Sequence, residues 1–530
     1  MPWMTAIVLL PLAGALSLLA VPAGNLLQAR IHALLAAAGT AALVIGALVV
    51  FDRGDGGLQL VDDFGWAEKA GLSWSLGVDG LSIWLLALTA GIFLLAVAAA
   101  CWRLPDRGAG YLGLILAAET GLLGLFAAGD LVLFYVFWEA MLIPFYFLIG
   151  IWGGPDRRAA TLKFVIYTMV GSLLMLVAIV ATAFAAQDVT GQLTFSIAEL
   201  RGVSFSDTQS TWLFLGFAIA FAIKLPMWPF HAWLPDAYRA APLGVTVLLA
   251  AVMSKAGAYG FMRIGVPVFP EGASHLALPI ALLAIVGIVY GSLLAWRQTT
   301  MRLIVGYASL AHLGFILLGI MAFDLQASQG AVLQMVSHGL VVAAIFVIVG
   351  ALSRGAEGET IDEVSGLSAR ASGLAGVFLI VSMAFLAIPG SSNFVGEFFI
   401  LAGVFRHDPL LAGLAMLGVV YAAVYTLRLY QGTMWGPLRA RAAERSRLTV
   451  RDAIVLGPVV AAMLFIALWP AGIAGATEAA LARAVAPAQL AAGRPPEEIA
   501  APVSQNPPAS HLPLPGDPIG ALPPGVEVTP

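Results

Sequence analysis

Apolar residues in this chain run in long stretches separated by short polar connections. Stretches able to cross roughly 30 Å of hydrocarbon lie at 4–20, 30–51, 80–101, 111–128, 131–151, 164–186, 212–228, 243–265, 277–295, 301–322, 329–352, 372–389 running on to 406, 409–430 and 453–474. They predict an all-α polytopic membrane protein with about fourteen transmembrane helices. The first stretch begins without a basic n-region or a small-residue cleavage site, so it is expected to be a retained helix rather than a signal peptide. Residues 486–530 hold twelve of the thirty prolines and few bulky apolar residues. That composition predicts a disordered tail.

The cations give an orientation. Connections after odd-numbered helices hold seventeen Lys and Arg residues, among them Arg103, Arg107, Arg157, Arg158, Arg354 and Arg451. Connections after even-numbered helices, with the tail, hold seven: Arg53, Lys69, Arg201, Arg263, Arg406, Arg483 and Arg494. The positive-inside rule then puts both termini on the outer face of the membrane.

The remaining two cations, Lys224 in FAIAFAIKLPMW and Lys255 in LLAAVMSKAGAYG, fall inside apolar spans. A charged side chain at the bilayer centre costs about 2.5–3.5 kcal/mol or more, so such groups are paired or functional. Glu139 (LVLFYVFWEAMLIPFYFLIG) and Glu119 (LGLILAAETGLLGLF) are also mid-helix, and Glu397 follows an interrupted segment in AIPGSSNFVGEFFILAG. His312 and His338 complete the set. The bland alternative is packing or snorkelling, which suits an isolated histidine better than a buried lysine, because neutral imidazole is cheap to bury. Alternating acids and bases in a membrane suit proton transfer, since burial raises a carboxylate's pKa and lowers a lysine's, bringing both toward neutrality. For Glu397 the competing reading is a carboxylate capping the helix that resumes after Pro389 and Gly390, a contribution of about 0.3–1 kcal/mol.

Two spans carry breaks. Lys224 is followed by Pro226 and Pro229, and Pro389, Gly390, Ser391, Ser392 and Asn393 precede Glu397. Proline removes a backbone donor and clashes one turn back, so both helices are expected to open there. Interrupted helices at corresponding places in two halves mark transporter ion sites. His312 lies 173 positions after Glu139, and Glu397 lies 173 after Lys224. One offset is thus expected to align both pairs and both breaks. Helices 4–8 and 9–13 would form two five-helix repeats, inverted because five is odd, with helices 7 and 12 broken. The expected division is 1–110 for three N-terminal helices, 111–266 and 277–430 for the repeats, 431–485 for the last helix and its flanks, and 486–530 for the tail.

Composition narrows the function. Apolar residues make up 60% and charged residues 11%, against about 25% charged in soluble proteins, which excludes a soluble enzyme. A net charge of −4 offers no basic surface for nucleic acid. The single cysteine, Cys101, excludes a disulfide framework and a thiolate-held iron–sulfur cluster. No metal site is expected on this chain, and no GxGxxG or P-loop motif is present.

The segments LVLFYVFWEAMLIPFYFLIGIWGG, FAIKLPMWPFHAWLPDAYRAAP, VMSKAGAYGFMRI and PGSSNFVGEFFILAG resemble the antiporter-type proton-pumping subunits of respiratory complex I, and within them the chain M branch, across residues 75–430. The resemblance implies a subunit of a proton-translocating NADH–quinone oxidoreductase in the bacterial inner membrane, both termini periplasmic, beside the related chains L and N and membrane lipids. FMN, iron–sulfur clusters and quinone would sit on other subunits. It also implies that Glu139 and Lys224 form a switching pair, with Glu119 as a secondary acid. Lys255 would be the central relay, His312 and His338 would lead into the second half, and Glu397 would be the outlet relay. An acid at 397 and the absence of a long lateral helix suit chain M. Tyr238 stands where the family often has histidine. A D-type subunit of a multisubunit Na⁺/H⁺ antiporter, a pump subunit of a membrane-bound hydrogenase, and a scaffold whose charges only hold helices together remain as alternatives.

Overall fold

The structure, a computed structural model, describes residues 2–22, 24–67, 71–355, 358–438 and 446–497. In chain order the elements are α1 (Trp3–Ser17), α2 (Leu26–Val50), β1 (Gln59–Ala67), β2 (Leu72–Val78), α3 (Ile83–Trp102), α4 (Gly108–Ala127), α5 (Leu131–Ala140), α6 (Leu142–Trp152), α7 (Arg157–Thr190), α8 (Ile197–Leu200), α9 (Asp207–Lys224) and α10 (Leu234–Ala240). A composite helix, Leu243–Val268, comprises α11 (Leu243–Leu248), α12 (Lys255–Gly260) and α13 (Val266–Val268) with π-helical turns between. There follow α14 (Pro270–Arg297), α15 (Met301–Met321), α16 (Leu325–Leu352), α17 (Ser372–Phe385), α18 (Ser392–His407), α19 (Pro409–Met434), α20 (Val450–Leu468) and α21 (Ala471–Ala491).

Twelve helices among the described residues are long and apolar enough to cross a membrane. They coincide with twelve of the fourteen expected spans, and the chain is a multi-pass membrane protein. The other two are those that break: α9 stops at Lys224, and the twelfth span is divided into α17 and α18. Burial sorts the helices into layers. Every residue in the most apolar window of Leu243–Val268 is buried, as are 89% of those in α15 and α16, against 33% in α19. Lys255, His312 and His338 therefore stand on the inner helices.

The fold departs from an all-helical reading in one place. Gln59–Ala67 and Leu72–Val78, expected only as parts of a connection, pair antiparallel as β1 and β2. The run Leu72, Ser73, Trp74, Ser75, Leu76 alternates apolar and polar side chains, the period of a half-buried strand. The hairpin fastens one end of the bundle: Thr5 donates its backbone N–H to Asp62 at 2.7 Å, Trp74 Nε1 donates to Thr5 Oγ1 at 3.0 Å, and Gly129 N donates to Ser75 O at 2.8 Å.

Arg263, counted above with the connections, is instead 4% exposed inside the composite helix. Both its terminal nitrogens donate to Asp79, at 2.6 and 2.8 Å. Burial pushes the Asp79 carboxyl up, but the Arg263 charge and hydrogen bonds outweigh it and hold the group below its ordinary range. Lys69, Arg439, Arg441 and Arg445, part of the same charge reading, lie outside the described residues.

The C-terminal boundary also moves. Helix α21 continues through Pro487 to Ala491, because its alanines favour helix and Leu481, Val485 and Ala488 are buried. Arg494 donates to Ala322 O at 3.0 Å, and Leu325 N donates to Glu497 at 3.1 Å. The expected disorder of 498–530 falls outside the described residues.

Candidate functional site

In the first half, α5 starts where Asp130 accepts from the backbone N–H groups of Val132 and Leu133, which satisfies two of the donors a helix start leaves free. The helix ends at Ala140, placing Glu139 on its last turn. Lys224 is the last residue of α9, where the negative end of the helix dipole favours a cation. Beyond it Pro226 lacks an N–H, so Met227 N donates to Ala222 O at 2.8 Å in its stead, and the Trp233 indole donates at 2.9 Å to the Ile223 carbonyl that this leaves over. Lys224 is 1% exposed, and its Nζ has no protein hydrogen-bond partner. Glu139 is not within 4.0 Å of it, and Glu139 Oε1 is likewise buried without a partner. The ammonium instead lies 4.9 Å from the centroid of the Trp138 ring, a cation–π contact. Trp138, next to the acid in sequence, was not among the expected site residues.

Lys255 begins α12 between two π-helical turns, Leu249–Met253 and Phe261–Gly265. Such turns free carbonyls from the regular ladder and are frequent at functional sites. Here Lys255 Nζ donates to Ala250 O at 2.6 Å and to Ser254 Oγ at 3.2 Å, and stands 2.9 Å from His338 Nδ1. If the lysine carries its proton, His338 Nδ1 accepts and the ring N–H sits on Nε2. Gly257 allows this helix to reach the end of α9: a Cβ there would lie 2.3 Å from Phe221 O and 2.7 Å from Leu225 N. The break beside Lys224 and the turn carrying Lys255 are thus in direct backbone contact.

The second half is closed. The His312 and His338 rings are 5.2 Å apart. His312 Nδ1 is 2.7 Å from Glu397 Oε1, Gln334 Nε2 donates to the same oxygen at 2.9 Å, and Tyr425 Oη is 3.4 Å from His312 Nε2. Glu397 is the sixth residue of α18, outside its first turn, so it does not act as a cap. Gln334 stands four residues before His338, and Asn393 four before Glu397, so each shares a helix face with a site residue. That spacing could have found both. Asn393 is fully buried with neither amide atom bonded to protein. Tyr425 gave no comparable signal.

Glu119 is brought to none of these groups by a hydrogen bond: it is fully buried, and both its oxygens lack protein partners. The residue register of the repeat also needs correction. The breaks begin at Leu225 and Leu386, 161 positions apart rather than 173, so Lys224 precedes its break while Glu397 follows its own. The offset of 173 aligns charges but not backbones.

Lys255 with His338 and His312 with Glu397 are thus two hydrogen-bonded pairs of titratable groups, and the two imidazole rings stand between them. Residues 128–424, which enclose Glu139, Lys224, Lys255, His312, His338 and Glu397, match the family model described as NADH:quinone oxidoreductase/Mrp antiporter, TM. NADH-quinone oxidoreductase subunit M of Rhodobacter capsulatus is 40% identical over 80% of this chain and 84% of its own length. The protein of the same description from Mycobacterium tuberculosis is 35% identical over 88% and 91%. A chain of respiratory complex I from Thermus thermophilus with bound NADH superposes with a TM-score of 0.83 at 32% identity, covering 92% of this chain and 99% of that one. A chain of the Mrp complex from Dietzia sp. shares the fold at 21% identity, with a TM-score of 0.80.

Proposed function

The chain belongs to the NADH:quinone oxidoreductase/Mrp antiporter family of membrane subunits, and from that premise we propose that it is the chain M type proton-translocating subunit of a respiratory complex I. The observation that carries this reading is the buried line Lys255, His338, His312 and Glu397, in which adjacent groups are hydrogen-bonded or packed ring against ring across four helices. Glu139 and Lys224 form the switch at one end. An ammonium that moves between the Trp138 face and the Glu139 carboxylate changes how readily it gives up its proton, and a change at the next subunit would bias that movement. Lys255 and the histidines carry the proton laterally, and Glu397 yields it to the outlet.

The two broken helices cross the membrane as well, which gives fourteen crossings, two inverted five-helix units and both termini on the periplasmic face of the inner membrane. Redox cofactors belong to other subunits, and the related chains L and N flank this one. The 40% relative described as subunit M favours complex I over an Mrp or hydrogenase assembly, since the likeness to the Mrp chain extends to fold alone. The test is Glu139→Gln in the assembled complex, reconstituted in vesicles. NADH-driven acidification and coupled quinone reduction should fall to a small residue while flavin and iron–sulfur subunits still co-purify. A fully active, assembled variant would refute the switch role.

A further inference from the structure

A cavity of about 730 Å³ opens between the end of α3, the start of α4, the end of α6, α11, α16 and the start of α20. None of the relay groups lines it. Its mouth is cationic and aromatic, with Arg103, Arg354 and Arg451 beside Trp102 and Trp152. Its interior is small and apolar, with Ala96, Ala99, Val247 and Val347 on the walls. A narrower slot shares Ala96, Ala99 and Val347 and continues inward to Ile92, Leu95 and Val459. The path from Arg103 to Ile92 along α3 covers eleven residues, or roughly 16 Å of helix, about half the thickness of the hydrocarbon layer.

The charges at the mouth are uneven. Arg354 is held by both carboxylate oxygens of Asp452, at 3.1 and 2.5 Å, so the one acid of the rim is neutralised. Arg103 and Arg451 are exposed and make no ion pair among the described residues. Two unpaired guanidinium groups at a membrane border, tryptophans at the same level and a hydrocarbon-deep apolar slot behind them complement one amphipathic molecule. Arginine donors suit a phosphate, tryptophan suits the interface, and basic pockets between helices bind anionic headgroups.

We propose that this cavity is a binding site for one anionic phospholipid, its phosphate held by Arg103 and Arg451 and an acyl chain lying in the slot between α3, α16 and α20. The lipid fills a seam between the N-terminal helices, the second half and α20, so it joins parts of the bundle that the relay itself does not connect.

Native mass spectrometry of the full-length chain in detergent micelles, titrated with phosphatidylglycerol or phosphatidylcholine, tests the site. Removing one cation near an anionic lipid should weaken binding about fivefold, and Arg103→Gln with Arg451→Gln roughly twentyfold. Ala99→Phe, which fills the slot and leaves both arginines in place, should abolish the tightest binding event. Phosphatidylcholine should bind wild type no better than phosphatidylglycerol binds the double variant. Unchanged phosphatidylglycerol binding in Ala99→Phe would overturn the proposal, and that variant decides the matter if the double variant does not fold. Equal retention of the two lipids, or side chains of a neighbouring subunit occupying the slot in the assembled complex, would overturn it too.

Discussion

Lys224 stands without a hydrogen bond over the Trp138 ring, whereas Glu397 in the second half accepts bonds from His312 and Gln334 on the same oxygen. The break in the first half lies beyond the charge, and the break in the second lies before it. A buried ammonium held only by a ring face and a helix terminus has few contacts to surrender when it moves. A carboxylate bound by a histidine and an amide has its position fixed, and only its proton needs to move. In the proposed mechanism the halves thus differ in what moves: a side chain in the first, a proton in the second.

The largest effect is expected where the halves meet. Lys255→Met keeps the length of the side chain but removes the donor to His338, so NADH-driven pumping in vesicles should fall almost to background with the complex intact. Pumping near the wild-type rate would mean that the two halves work separately. Lys224→Ala should be nearly as severe, and Lys224→Arg should not restore pumping, because guanidinium stays protonated at any accessible pH. Normal pumping with arginine would turn the first half into a structural contact.

Glu397→Gln should strongly lower pumping while the amide still fits between His312 and Gln334, and Glu397→Lys should keep a measurable part. If glutamine pumps normally, the second half does not pass protons through this side chain. A smaller effect is expected at Trp138. Leucine there removes a cation–π contact worth about 2 kcal/mol in a desolvated site and should lower pumping in part and alter its pH profile, with phenylalanine between the two. An unaltered profile in the leucine variant would leave Lys224 without the resting place assigned to it.

The smallest effect on pumping is expected at Asp79, which precedes both halves and pairs with Arg263 of the first, away from the relay groups. Asp79→Asn strands Arg263 and should cost about 3–5 kcal/mol of stability, read as a lower melting temperature, with turnover of the surviving complex unchanged. Because the Asp79 carboxyl titrates below its ordinary 3.8, its contribution is present above that pH and is lost as pH falls through the lower folded value. The stability gap between wild type and variant should therefore hold steady at neutral pH and close only in acid.

Much of this was legible in the sequence because hydrocarbon imposes simple rules. Span length marked the helices, and the cost of a charge in lipid singled out Lys224, Lys255 and Glu139 before any geometry was known. The prolines at 226 and 389 located the breaks. Side-chain partners were less legible, because they depend on which faces meet. Gln334 and Asn393 share a helix face with expected residues, yet only the packing of α16 on α18 shows which of them bonds: a Cβ on Gly396 would stand 2.7 Å from Gln334 Oε1. The equal offsets of 173 misled because they matched charges without regard to the backbone between them. The hairpin was missed although its alternation was present, since a membrane reading treats a polar connection as featureless.

The two wide turns beside Lys255 carry a consequence for insertions and deletions. Each seats one residue more than an α turn, and one residue corresponds to roughly 100° of rotation about a helix axis. Segment 243–268 therefore contains two phase slips. Its hydropathy would hardly change if one residue were lost from 249–253, yet Lys255 would turn away from His338 toward another wall of the bundle. Along this stretch the number of residues is as much a part of the site as their identity.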